Sequence, residues 1–161
     1  MELSELKKKA FENRKSNKKL IQKLKKQKGK DVDQLFHEAH SKIFCEIDCL
    51  NCANCCKTTG PLFTNKDIDR IAKHFNQKPS EFIKNYLKLD EENDYILQHL
   101  PCPFLGTDNY CLIYDVRPKA CAEYPHTDRK KQQQILNLSL KNIEVCPAVQ
   151  GIFDEVKSKI N

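Results

Sequence analysis

Tryptophan is absent from this 161-residue chain, glycine occurs four times and methionine once. Charged residues make up 31% and apolar ones 39%, so a single domain of this length has only a modest apolar interior to bury. The shortage of glycine excludes phosphate-cradling loops, since no glycine-rich turn of the nucleotide-binding kind is present. No Ser/His/Asp constellation suggests a hydrolase. No apolar run approaches a membrane span, and Met1-Glu2-Leu3-Ser4-Glu5 runs into lysines without the apolar segment of a secretory signal. The chain is therefore expected to be cytoplasmic and free of membrane. Acidic residues are missing from one stretch: Leu6 to Lys30 is dominated by Lys, with Glu12 its single acid. The net charge of +6 belongs to that stretch, and the remainder is close to neutral or mildly acidic. Residues 1–30 are read as a basic helical arm ahead of a domain at 31–161. Leu3, Leu6, Ala10, Leu20, Ile21 and Leu24 give the arm a thin apolar stripe, interrupted by Asn13 and Asn17. A solvated basic helix that docks a protein partner is favoured over a nucleic-acid arm, because Phe11 is its one aromatic and no nucleic-acid-binding fold surrounds it.

Cysteine is what the chain has in excess. Nine are present, an odd number that leaves one thiol unmatched in any all-disulfide scheme, and in a reducing compartment dense cysteines read as ligands or redox centres. Cys49-Leu50-Asn51-Cys52-Ala53-Asn54-Cys55-Cys56 forms one group. A Cys-x-x-Cys pair lets two thiolates from one short loop reach a single ion. Adjacent side chains diverge, so Cys55 and Cys56 suit different metals, or one is spare. A second group comprises Pro101-Cys102-Pro103-Phe104-Leu105-Gly106, Tyr110-Cys111-Leu112-Ile113-Tyr114 and Arg117-Pro118-Lys119-Ala120-Cys121-Ala122-Glu123-Tyr124-Pro125, and Cys146-Pro147 is an outlier.

These four ordered motifs, over roughly residues 45–150, resemble the cysteine-cluster family of zinc- or iron-chelating domains. That family follows its first run with Cys-Pro-Phe-Leu, Cys-x-Ile-Tyr and Arg-Pro-x-x-Cys-x-x-Tyr/Phe-Pro elements, and Cys102, Cys111 and Cys121 occupy those positions. The resemblance implies metal binding and says little of a reaction. Flagellin lysine methylases share a similar cysteine pattern, an enzymatic precedent on longer chains.

Two tetrathiolate zinc sites would use Cys49, Cys52, Cys55, Cys56, Cys102, Cys111, Cys121 and Cys146. Iron–sulfur clusters are also held by four cysteines each, often a compact run completed by a distant Cys-Pro, as Cys146-Pro147 stands to the first group. Thiolate softness suits both, so zinc or iron–sulfur, in one centre or two, remains open. Cys45, Cys49 and Cys52 also show the Cys-x-x-x-Cys-x-x-Cys spacing of radical S-adenosylmethionine enzymes. Asn51 replaces the usual aromatic, and the chain is too short for their barrel, so Cys45 is read as a buried structural thiol.

The elements read as mainly α with a short β-hairpin. A helix is expected over Val32 to Ile47, another capped by Thr64 with Asp67 in its first turn, and a third started by Pro79-Ser80 with Phe82, Ile83, Tyr86 and Leu87 inward. Asp94 to Leu100 and Tyr110 to Tyr114 are the candidate hairpin strands, presenting Cys102 and Cys111. Arg117-Pro118 should open a turn carrying Cys121, Gln132 to Leu140 is helix or strand, and Cys146 to Ile160 is a closing helix. His37, His40 and His126 are weaker ligand candidates, His74 lies beside an apolar face, and Lys57, Thr58 and Thr59 are candidate donors to the first group. Arg117 either tunes a thiolate or pairs with Asp115. The function read from these residues is metal binding with the reaction open. The alternatives are an iron–sulfur redox or methyltransferase-like enzyme with an open cluster site, and a zinc-stabilised nucleic-acid-binding module, which is disfavoured because the cysteines are not spaced as separated finger pairs.

Overall fold

A computed structural model describes residues 2–160. In chain order its helices are α1 (Leu3–Glu12), α2 (Arg14–Lys25), α3 (Gly29–Phe44), the single turns α4 (Cys49–Cys52) and α5 (Asn54–Thr58), α6 (Asn65–His74) and α7 (Pro79–Tyr86). The strands β1 (Leu87–Leu89) and β2 (Tyr95–Leu97) follow, then α8 (Lys119–Glu123), α9 (Leu136–Asn142) and α10 (Pro147–Ile160). The fold is mainly α with one short hairpin. None of the helices among the described residues is long and apolar enough to cross a membrane. The chain divides into two compact units, the first formed by residues up to Asp48 and from Pro125 onward, the second by Cys49–Tyr124.

The first unit is built by helix packing. Val32, Phe36 and Ala39 of α3 recur at helical spacing and are fully buried, as are Ala148, Val149, Ile152, Phe153 and Val156 of α10. Phe36 and Phe153 meet edge to face, with centroids 5.9 Å apart at 88°, the arrangement that aromatic quadrupoles prefer. Gly151 permits this approach, because a Cβ there would stand 3.1 Å from Ile43 Cδ1. The basic segment is part of this unit. Leu6 and Ala10 of α1, and Leu20, Ile21 and Leu24 of α2, are buried. The expected single helix is two, divided at Asn13, and Asn17 lies buried on the α2 stripe. Gln133 donates its amide to the carbonyls of Leu24 and Gln27 (2.8 Å each), satisfying the end of α2. The 132–140 region resolves as a 3₁₀ turn, Gln132–Gln134, followed by α9.

The second unit has an aromatic core. Thr64 and Asp67 form a reciprocal capping box that starts α6, and Pro79 occupies the first turn of α7. Ile68, Ile71 and Ala72 of α6 and Phe82 of α7 are buried with Phe63, Leu87, Leu97, Phe104 and Ile113. Phe75, Phe82, Tyr86 and Phe104 associate as neighbouring rings, with centroids 5.0–6.5 Å apart. The hairpin is antiparallel, with Leu87 opposite Leu97 and Leu89 opposite Tyr95. It therefore lies earlier than the sequence indicated. Tyr95–Leu97 falls within the expected 94–100 strand, but its partner is Leu87–Leu89, and the 110–114 segment contributes an isolated bridge, Leu105 to Cys111. Leu87 had been assigned to the buried face of the preceding helix. The helix ends at Tyr86 because Leu87 adopts an extended backbone (φ −116°, ψ 158°).

Candidate metal centre

The first cysteine run folds as two helical turns with a reversal between them. α4 carries Cys49 and Cys52, and Ala53 then adopts a left-handed conformation (φ 51°, ψ 14°) before α5 begins. A non-glycine residue in that region is uncommon. Its effect is that Cys55 and Cys56 begin a new turn in place of continuing the old one. Cys49 is exposed, while Cys52, Cys55 and Cys56 are half-buried. The Thr58 hydroxyl donates to the Asn54 carbonyl (2.7 Å), so it closes α5 and does not serve a thiol.

Three later cysteines are brought to Cys56. The Cys102 amide donates to the Cys56 carbonyl at 2.8 Å. Between Cys102 and Cys111 the chain folds back on itself: Leu112 donates to Phe104, and Gly106 to the Tyr110 carbonyl, each at 2.8 Å. Glycine is required at this turn, because a Cβ on residue 106 would fall 2.7 Å from Asp108 Oδ1 and 3.1 Å from the Tyr110 carbonyl. Cys121 lies inside α8, which opens after Arg117-Pro118 as expected.

The start of α8 is fastened by α6. Asp67 is buried, and its carboxylate accepts from the Thr64 amide (2.9 Å) and hydroxyl (2.7 Å), from Arg70 Nη2 (2.6 Å) and from the Lys119 amide (3.0 Å). Arg70 also donates to the carbonyls of Arg117 (2.8 Å) and Val116 (3.3 Å). Burial alone would raise the Asp67 carboxyl, but the hydrogen bonds from Thr64, Arg70 and Lys119 outweigh it and hold the group below the usual carboxylate range. The capping role of Asp67 was readable from Thr64-x-x-Asp67. Its bond to Lys119, fifty-two residues later, carries no local signal.

The four thiols of Cys56, Cys102, Cys111 and Cys121 lie within range of one another's charge. Burial pushes Cys102 up to about 11, and the charges of Cys56 and Cys111 add to it. Burial, then the charges of Cys56, Cys102 and Cys111, push Cys121 up to about 12. Cys111 is raised by burial and by Cys56. Cys56 moves the other way, to about 7, because Cys55 hydrogen-bonds its sulfur and Lys57 adds positive charge. Neighbouring backbone N–H groups oppose these rises, those of Phe104 and Leu105 for Cys102 and that of Ile113 for Cys111, and the Leu105 amide donates to the Cys102 carbonyl at 3.0 Å. Such donors stabilise a thiolate and a metal–sulfur bond alike. Arg117 sits 3.9 Å over the Tyr114 ring, donates to the Tyr114 carbonyl (2.7 Å), and its charge favours the thiolates of Cys111 and Cys121. Its recorded contacts favour the thiolate-tuning role over a bond to Asp115.

This donor set fits a thiophilic metal. Four soft thiols share a half-buried volume in which several thiolates would repel one another, and a cation would relieve that repulsion. Among the described residues no group of three or more His, Cys, Asp or Glu side chains is already closed to ligand geometry.

Cys146 is buried in the first unit, just before α10, with its amide donating to the Asn142 carbonyl (2.8 Å). Cys45 caps α3 and is exposed, which corrects the buried role assigned to it. The apolar stripe that suggested burial ends at a half-buried Ile43 and Phe44. His37 Nδ1 contacts Asp128 Oδ1 (2.5 Å) and His40 Nδ1 contacts Thr127 Oγ1 (2.9 Å), both within the first unit. His126 also lies in that unit, at the left-handed φ of 65°, and the His74 ring meets Phe75 edge-on.

Residues 48–146 match the family model described as "Putative zinc- or iron-chelating domain" and named for its CxxCxxCC pattern. The chain belongs to this family. The match begins one residue before Cys49 and ends on Cys146, so it takes in eight cysteines and omits Cys45. No curated protein and no solved structure matches the chain.

Proposed function

We propose that Cys56, Cys102, Cys111 and Cys121 are the ligands of one tetrathiolate metal centre, and that the protein functions as a zinc- or iron-binding protein through it. The observation carrying this reading is the meeting of these stretches of chain, with the Cys102 amide on the Cys56 carbonyl (2.8 Å) and the Leu105–Cys111 bridge, and the thiols raise one another in the same sense. Bound zinc would supply a closed structural centre, and an iron–sulfur cluster would supply electron-transfer capacity. Cys49, Cys52 and Cys55 stand beside this set on the α4–α5 turns and remain for a second ion, and Cys146 stays among the proposed ligands of the chain. Lys57 and Arg117 favour the thiolates, as do the amides of Phe104, Leu105 and Ile113.

Anaerobic purification without added metal, followed by elemental analysis, sulfide determination and an absorption spectrum on one sample, tests the proposal. Iron with acid-labile sulfide identifies a cluster, and stoichiometric zinc in a colourless sample identifies a structural site. The same measurements on Cys56→Ser and Cys121→Ser decide the ligands: each is expected to lose the metal. Full metal content in both variants overturns the assignment.

A further inference from the structure

The basic segment has a second feature besides charge. Residues 7–30 hold twelve of the 28 Lys and Arg but one of the 22 Asp and Glu, so this stretch carries +11 and the rest of the chain −5. Lys9 of this segment pairs with Asp154 (3.0 Å), as Lys42 does with Glu155 (2.7 Å) and Lys159 with Glu38 (2.8 Å) elsewhere in the unit. Within the segment, Arg14 and Lys18, and Lys15 and Lys19, stand four residues apart on α2, a like-charge arrangement that disfavours an isolated helix. All four are exposed. In their midst is Phe11, the most exposed of the large apolar residues at 76%. Lys7 and Lys8 precede it by four and three residues, and Arg14 and Lys15 follow it by three and four. A bare aromatic ring on α1 therefore shares its face with two exposed cations, Lys7 and Lys8, and two more, Arg14 and Lys15, open α2 directly after it.

We infer that this face of α1 and α2 binds single-stranded nucleic acid, the cations taking phosphates and the Phe11 ring stacking on a base. A base offers a π-face whatever its identity, so one ring among cations is a sequence-tolerant platform. A membrane surface fits the same charge less well. Insertion needs an apolar helix face, and the apolar face of both helices is already buried through Leu6, Ala10, Leu20, Ile21 and Leu24. An acidic protein would use the cations and leave the ring without a role. The sequence pattern alone did not favour nucleic acid, because Phe11 is the one aromatic of the segment and no nucleic-acid-binding fold surrounds it.

The test is fluorescence anisotropy of the full-length protein with a labelled, unstructured single-stranded RNA, a duplex of equal charge and phosphatidylserine–phosphatidylcholine vesicles. If four cations engage phosphates, affinity for the single strand falls about 50-fold between 50 and 200 mM salt. Phe11→Ala, at an exposed position that leaves the core untouched, is expected to weaken binding about tenfold with the salt dependence unchanged. Lys8→Gln/Lys15→Gln is expected to flatten the log–log salt slope by about 1.4. The inference is overturned if Phe11→Ala binds as the parent does, if the duplex binds as tightly as the single strand, or if the vesicles bind and the RNA does not.

Discussion

The two units solve the problem of a small core in different ways. In the first, buried aliphatic and aromatic side chains from five helices interlock, and the surface carries ion pairs such as Lys9 with Asp154 (3.0 Å). In the second, a handful of rings around Phe82 forms the core, and of the eight large apolar residues left exposed among the described residues six belong to it: Leu62, Leu89, Leu100, Tyr110, Leu112 and Tyr114. That unit also holds seven of the nine cysteines. Apolar burial accounts for the order of the first unit, whereas the second relies on fixed polar contacts, the Asp67 hub among them, and, as proposed here, on metal. Binding energy of that kind is folding energy when the unfolded chain has no preformed site.

The sharpest way to separate the units is to remove the metal. A structural thiolate zinc site is worth about 10–16 kcal/mol in small peptides, comparable to the whole stability of an ordinary domain. Chelation is therefore expected to abolish hydrogen-exchange protection at Phe104, Ile113 and Cys121 while the amides of Phe36 and Phe153 keep theirs. Equal loss in both units would remove the distinction. The converse change is Phe36→Ala, which empties the edge-to-face contact with Phe153 and should destabilise the first unit by about 3–5 kcal/mol, with metal content per folded molecule unchanged.

Smaller effects probe how the second unit holds its centre. Asp67→Asn removes a carboxylate that four donors share, at a cost of about 1–3 kcal/mol, and frees the start of α8. Metal should be retained less tightly, as read by competition with a chromophoric chelator. Wild-type retention would make Asp67 a helix cap only. The same carboxyl titrates below its ordinary value, so its contribution is present above the unfolded pKa and is lost as pH falls through the lower folded one. Metal affinity should follow pH in the same sense for a different reason. Cys102, Cys111 and Cys121 hold their protons through neutrality and Cys56 titrates at about 7, so binding expels protons. Affinity rises with pH, by up to about tenfold per unit for each proton released, and a flat profile from pH 6 to 8 would contradict the set. Cys45→Ser, at an exposed cap outside the family match, is expected to change stability by less than about 0.5 kcal/mol and metal content not at all.

Much of this was legible before the structure. Thr64, Asp67, Pro79 and Arg117-Pro118 mark helix starts by chemistry that acts within four residues, and each helix begins where they indicate. The cysteine groups that carry the family match were visible as spacing. What the sequence concealed depends on contacts between distant residues. The hairpin partner of Tyr95–Leu97 was misplaced because Leu87 continues the helical face of Phe82, Ile83 and Tyr86 without a break in composition. Ala53 gives no hint of its left-handed backbone, and so no hint that Cys56 turns toward Cys102, Cys111 and Cys121. Cys45 was assigned to the interior because a helical stripe predicts a face and not where that face stops.

X-ray absorption at the edge of the bound metal, on protein purified anaerobically, tests the central claim most directly. The account predicts a first shell of four sulfurs for the centre, at about 2.3 Å for zinc, reduced to three sulfurs and one lighter atom in Cys121→Ser and unaltered in Cys45→Ser. A first shell rich in nitrogen or oxygen, or one that Cys121→Ser leaves unchanged, would contradict it.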